Sequence, residues 1–251
     1  MSKAAGVLHF LLGITLLGSC QAPKEYESPE MEFNLAVYEK NNCFGERCAN
    51  VSFSYPEFSA SHPMAPRINA HIEEQLKMYL QFGVFDDYES LDAAVDDFFN
   101  VFEQMGEDIT HWSVDVDSRV TFLTDRLLSV QFTSTSLTGG HHPNEHLLFL
   151  NFDLDQGHLL RTDEIVFDRK KLMKKAERAF RKHHQLAESQ TLAEDGRFFL
   201  EENDIFLPFS IGYRDRNLVL YYNHYEINPY EMGATELIFP LKDLEGIVLI
   251  K

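Results

Sequence analysis

The sequence predicts an α+β fold of mainly antiparallel sheets with three helices. Several segments alternate apolar and polar residues with a period of two, and three longer ones repeat apolar residues at helical spacing. The two kinds do not alternate regularly, as βαβ units would. Of the 251 residues 44% are hydrophobic, ample for a packed core. No internal repeat of fixed period is present.

The N-terminus reads as an address. Lys3 is followed by an apolar run, Ala4 to Gly18, too short for a comfortable membrane span and suited to a secretory signal. Leu17-Gly18-Ser19-Cys20 then matches the lipobox of bacterial lipoproteins, so residues 1–19 are expected to be removed and Cys20 to be lipidated. Attachment through two or three acyl chains gives a stable anchor, because each buried CH₂ contributes about 0.8 kcal/mol. Residues 20–32, rich in Pro and Glu, read as a flexible tether. The expected location is the bacterial cell envelope, on the outer membrane, with the domain in the periplasm or on the cell surface.

Cys43 and Cys48 remain as an even pair in an oxidising compartment. Gly45 between them allows the tight turn that so short a disulfide loop requires. The spacing is not that of a redox-active C-x-x-C, so a structural staple is expected, flanked by strands over Glu32 to Tyr38 and Asn50 to Tyr55.

Pro63 and Pro66 open a helix carrying Ile68, Ile72, Leu76, Tyr79 and Leu80, which Gly83 ends. Ser90 caps a second, with Leu91, Ala94, Val95, Phe98, Phe99, Phe102 and Met105 as a core stripe and Gly106 as its stop. Strands follow over His111 to Asp117, in two pieces over Arg119 to Leu137 around Thr124-Asp125, and over His146 to Leu154, with the even positions of the last on one face. Asp155-Gln156-Gly157 turns that strand into a hairpin. Asp168 caps a third helix reaching about His184, with Leu172, Met173, Ala176, Ala179 and Phe180 inward. Eight of the chain's 22 Lys+Arg crowd its remainder, either as a solvated face attracted to the acidic body or as a partner-binding face. His183-His184 at its end suits the dipole's preference for cations. Ile205 to Ile211, Asn217 to Asn223, Glu236 to Leu241 and Ile247 to Ile250 complete the strands.

The chain carries 40 Asp+Glu against 22 Lys+Arg, a net charge of −18. Polyphosphate would be repelled, which excludes nucleic acid as a partner. His142-Pro143-Asn144-Glu145-His146 formally matches the H-x-x-E-H zinc motif. That motif works on a helix, where residues four apart share a face; on a strand they lie about 13 Å apart, too far for one ion. No metal, cofactor or catalytic residue is therefore assigned. His142 and Asn144 read as hydrogen-bonding residues that fix the Gly139-Gly140 turn, or as the lining of a ligand groove. Tyr221, Tyr222, Tyr225 and Tyr230 with Glu226 form either a recognition surface or packing between sheet and loop.

Three stretches resemble the PdaC/RsiV-type extracytoplasmic domain family. They are Phe132 to Asn144 with its Thr138-Gly139-Gly140 core, Leu150-Asn151-Phe152-Asp153-Leu154 with Gly157 and Thr162 to Val166, and Tyr221 to Tyr230 followed by Gly233 and Ile238 to Leu244. Their order and spacing also match. The likeness covers roughly 34–251, is specific in the C-terminal half, and departs from the family at His141 and His224. It implies two halves of one compact unit, residues 33–137 PdaC N-terminal-like and residues 138–251 RsiV C-terminal-like, in a stand-alone lipoprotein. In that family such domains occur on lysozyme-sensing anti-sigma factors, beside the catalytic domain of peptidoglycan deacetylases, and alone.

The resulting expectation is a non-enzymatic, lipid-anchored binding or sensing module for a protein or glycan ligand, a cationic protein such as lysozyme or a cell-wall glycan. Candidate ligand-binding residues are His142, Asn144, Tyr225, Glu226 and Tyr230. The alternatives are a metal-dependent peptidoglycan hydrolase using His141 to His146, and a scaffolding lipoprotein.

Overall fold

The computed structural model describes residues 31–82, 87–106, 109–140, 142–187, 190–200 and 204–250. The signal segment, Cys20, most of the tether, Gly83 and His141 lie outside the described residues. The described residues include Met31, which is buried in the core, and Glu32, whose carbonyl accepts from Ser59 N at 2.8 Å.

The chain opens with a long hairpin, β1 (Phe33–Phe44) and β2 (Arg47–Phe58). Its strands run right up to the turn, so Cys43 and Cys48 face each other as a cross-strand pair joined by the disulfide. Gly45 sits there at φ 68°, in the left-handed region that a side chain disfavours. Two helices follow, α1 (Ala65–Met78) and α2 (Leu91–Gln104). Ser90 Oγ accepts from Ala93 N at 3.2 Å and so starts α2, as its sequence predicts. The chain returns through β3 (His111–Leu123), then β4 (Leu127–Leu137), β5 (Asn144–Asp153) and the short β6 (His158–Leu159). These make a six-stranded sheet in the order β1-β2-β3-β4-β5-β6. All neighbours are antiparallel except β2 and β3, which run parallel because α1 and α2 form the crossover between them. His111 to Leu123 is one strand rather than two, with a register irregularity between Val120 and Phe122.

The second half contributes α3 (Thr162–Ile165), α4 (Arg169–His183) and α5 (Leu192–Asp195), then a three-stranded antiparallel sheet of β7 (Ser210–Arg214), β8 (Asn217–Tyr222) and β9 (Thr235–Pro240). Asp168 caps α4 by accepting from Lys171 N at 2.9 Å. The single-turn helices α3 and α5 carry too few residues for a periodic signal. Two expected strands are corrected. Of the strand expected over Ile205 to Ile211 only Ser210 and Ile211 are strand, the start of β7, and Ile247 to Ile250 makes no strand but a lone bridge, Val166 to Val248.

The main core lies between α1, α2 and one face of the large sheet, where Phe53, Phe98, Phe102, Trp112, Phe132 and Phe152 are fully buried. A second lies between α4 and the small sheet, around Leu172, Phe180, Leu218, Leu220 and Tyr222. The opposite face of the small sheet closes onto β5, where Val219 and Tyr221 meet Leu147 and Phe149. From Leu147 onward strand β5 is thus covered on both faces, against the alternation expected of a strand with one solvated side. Ser129 donates to Asn151 Oδ1 at 2.8 Å and Asn151 Nδ2 to Ile211 O at 2.8 Å, so the two sheets are also pinned by a buried polar link. Gly212 of β7 makes the approach possible, since a Cβ there would lie 2.1 Å from the Phe149 ring.

Candidate functional site

Sequence separation hides the site. The segment before β5 and the loop after β8 are about eighty residues apart, and the fold lays one over the other. The loop is held first by Asn223, whose side chain accepts from Leu147 N at 2.7 Å and donates to Leu147 O at 3.0 Å. In this way a carboxamide extends the pairing of β5 where a strand has ended.

Glu226 sets the loop's shape. One carboxylate oxygen accepts from Phe209 N at 2.7 Å and the other from Asn223 N at 2.8 Å. Burial pushes its carboxyl above the usual range, and the two N–H donors oppose that shift without cancelling it. Tyr225, just before it, is forced to φ 63°, a left-handed conformation unusual for a large side chain, and remains 56% exposed.

Tyr230 is the centre of the resulting ring array. Its hydroxyl donates to Pro143 O at 3.2 Å, and the His142 ring stacks on it with centroids 3.9 Å apart and planes at 22°. His224 lies at 4.6 Å and Tyr225 at 5.6 Å from the same ring. His142 Nδ1 lies 3.0 Å from Pro143 O, the same carbonyl that accepts from Tyr230. Close by in sequence, Asn228 is fully buried, and among the described residues neither of its side-chain polar atoms has a hydrogen-bond partner.

Of the five candidate residues, the structure brings His142, Tyr225 and Tyr230 into one array and places Glu226 behind it as framework. Asn144 stands apart as the exposed first residue of β5, in register with Ser136. The tyrosine cluster divides. Tyr222 is core, its hydroxyl bonded to Phe206 O, and burial raises its phenol far above the ordinary value. Tyr221 is half-buried against β5; desolvation, then Glu236 and Glu145, raise its pKa. Asn223, His224 and Phe209 are further participants. Phe209 is 86% exposed beside the Glu226 ledge, and no local pattern singles it out.

The two histidines of the formal zinc motif have different surroundings. His142 is exposed in the array, while His146 sits within β5, where burial lowers its pKa and its Nδ1 has no partner among the described residues. Among the described residues no three His, Cys, Asp or Glu side chains are grouped to hold one ion. His184 also departs from the expectation of a dipole-stabilised cation. It packs on Phe180 and Phe198 at 4.5 and 4.9 Å with Nε2 3.0 Å from Thr235 Oγ1. Desolvation first, then His183 and Arg197, lower its pKa to about 4, so it is neutral at pH 7.

Comparison with known proteins places this geometry. Residues 43–145 match the model of the family described as deacetylase PdaC, and residues 162–242 match that of DUF3298, a family of unknown function. The fold is similar to a crystal structure of a DUF3298 family protein from Pseudomonas aeruginosa, with TM-score 0.67 and 20% identity over 88% of this chain and 96% of that one. It is also similar to a DUF3298 family member from Bacteroides fragilis, with TM-score 0.65 and 18% identity over 89% and 95% of the two chains. No curated protein matches it. The chain thus matches a PdaC-type model in its first half and a DUF3298-type model in its second, and its fold is similar to that of DUF3298 family proteins, consistent with a PdaC/RsiV-like extracytoplasmic domain.

Proposed function

We propose that this protein is a non-enzymatic binding module of the bacterial cell envelope, anchored through lipid at Cys20, whose ligand is a protein or glycan engaged by the ring array. The observation that carries the reading is Tyr225. A bulky side chain is held in a disfavoured backbone conformation, beside the Tyr230 ring on which His142 and His224 also pack, yet more than half exposed. Burial gains nothing from such an arrangement, whereas recognition uses rigid aromatic faces that also hydrogen-bond. The array's fixed rings suit the apolar face of a sugar or an aromatic or cationic side chain.

Retention of the protein on peptidoglycan sacculi and on immobilised lysozyme, at low and moderate salt, tests the reading. Tyr225→Ala and Tyr230→Ala are expected to lower retention on the true ligand severalfold, since each ring contact contributes about 1 kcal/mol. Neither ligand retained, or retention indifferent to both substitutions, would overturn it. The net charge of −18 favours the cationic protein among the candidates, with binding that weakens as salt rises. Incorporation of an alkyne-tagged fatty acid into the wild type but not into Cys20→Ala checks the anchor.

A further inference from the structure

The outward face of α4 is unlike the rest of this acidic chain. Fifteen residues hold eight Lys and Arg and one Glu. At 100° per residue, Lys170, Lys171, Lys174, Lys175, Arg178 and Lys182 fall within an arc of about 140°, centred opposite the buried Leu172, Ala176 and Phe180. From Lys170 to Lys182 the face runs about 18 Å. Lys170, Lys174, Arg178 and Lys182 follow one another four residues apart, and all four are exposed.

A solvated helix in a chain with 40 acids has ample opportunity to alternate signs, and this one does not. Its one opposite-sign pair within the helix is Arg181 with Glu177 at 2.9 Å, and Arg181 is otherwise committed to the carbonyls of Ala187 and Gln190. Lys171 is turned back to Asp168 at 3.0 Å. Among the described residues no acid pairs with Lys174, Lys175, Arg178 or Lys182. Beside them a hollow of about 600 Å³ is lined by Lys174, Glu177, Arg178, Arg181, Lys182 and Leu186, room for a phosphodiester headgroup between guanidinium and ammonium groups.

We infer that α4 is a docking face for an anionic phospholipid surface. The breadth of the basic arc selects this occupant. A flat sheet of phosphates meets the whole arc at once, whereas a single anionic thread would meet one row of it. The acidic remainder of the molecule is repelled by the same surface, so contact through α4 also orients the domain.

The test is co-sedimentation of the full chain with vesicles of phosphatidylcholine alone or with about 30% phosphatidylglycerol. Any contribution of the N-terminus is common to the wild type and the variant below and cancels in their comparison. The wild type is expected to prefer the anionic vesicles about tenfold or more in about 0.05 M salt, and to lose the preference near 0.5 M. Replacing Lys170, Lys174, Arg178 and Lys182 together by Gln, which keeps helix propensity, should bring the ratio to within about twofold of one. No preference in the wild type, or full preference in the variant, overturns the assignment. So does retention on a heparin column without vesicle preference, which would mark a polyanionic chain as the partner. Should the variant not fold, amine acetylation of the wild type decides: Lys174 and Lys182 protected on anionic vesicles alone supports the inference, and equal labelling on both overturns it.

Discussion

Asn223 and Leu147 share two hydrogen bonds, the carboxamide of one satisfying both backbone groups of the other at 2.7 and 3.0 Å. Both groups are buried, so they have no water to turn to. Asn223→Ala should therefore cost about 2–3 kcal/mol and lower Tm by about 5–10 °C. Asn223→Asp, which sets a carboxylate oxygen against the buried Leu147 carbonyl, should cost at least as much. Thermal unfolding of the three proteins checks the order.

Gly212 and Phe149 set the distance between the two sheets. Because a Cβ at 212 would sit 2.1 Å from the ring, Gly212→Ala should destabilise by about 2–3 kcal/mol through overpacking. Phe149→Leu leaves space by itself, and the double variant should be more stable than the sum of the two losses. A denaturant-based double-mutant cycle measures the coupling; strict additivity would show that the sheets can separate freely.

His184 and Glu226 give stability opposite dependences on pH. His184 is held near pKa about 4 in the fold against 6.5 in the unfolded chain. Between those values the unfolded state binds more protons, so stability is lost as pH falls through that window. Glu226 is raised above 4.5, and there the folded state binds more protons, so stability falls as pH rises from that value through the raised pKa. Tm against pH should accordingly flatten on the acid side of neutrality in His184→Gln, with a change of opposite sign in Glu226→Gln. Parallel profiles for wild type and both variants would contradict these environments.

The Cys43–Cys48 bridge closes a small loop at the tip of the β1–β2 hairpin. Chain-entropy reasoning assigns it about 2 kcal/mol. Reduction, or the double substitution to Ser, should lower Tm by about 4–8 °C while leaving the ring array and its ligand retention intact. Retention lost along with the bridge would tie the hairpin to the site.

The ring array was legible only in part. Tyrosines spaced as Tyr221, Tyr222, Tyr225 and Tyr230 mark a segment rich in recognition chemistry, but their division between core and surface depends on which face of β8 meets β5 and where the loop turns after Tyr222. His142 could be suspected from its turn. Its partner Tyr230 could not be named, because contact between them rests on Asn223 holding the loop against β5.

Local order was written in the chain itself. Apolar periodicity marked α1, α2 and α4, Ser90 and Asp168 marked the starts of α2 and α4, and Gly45 between two cysteines marked the hairpin turn, since each acts over a few residues. Tertiary structure alone decided that β2 and β3 run parallel, that β5 is covered on both faces from Leu147 onward, and that Ile247 to Ile250 bridges Val166 instead of forming a strand. The reason is one of range. A side chain's spacing reports the geometry of its own backbone, whereas strand pairing and burial of a second face depend on groups far along the chain whose arrival no local pattern encodes.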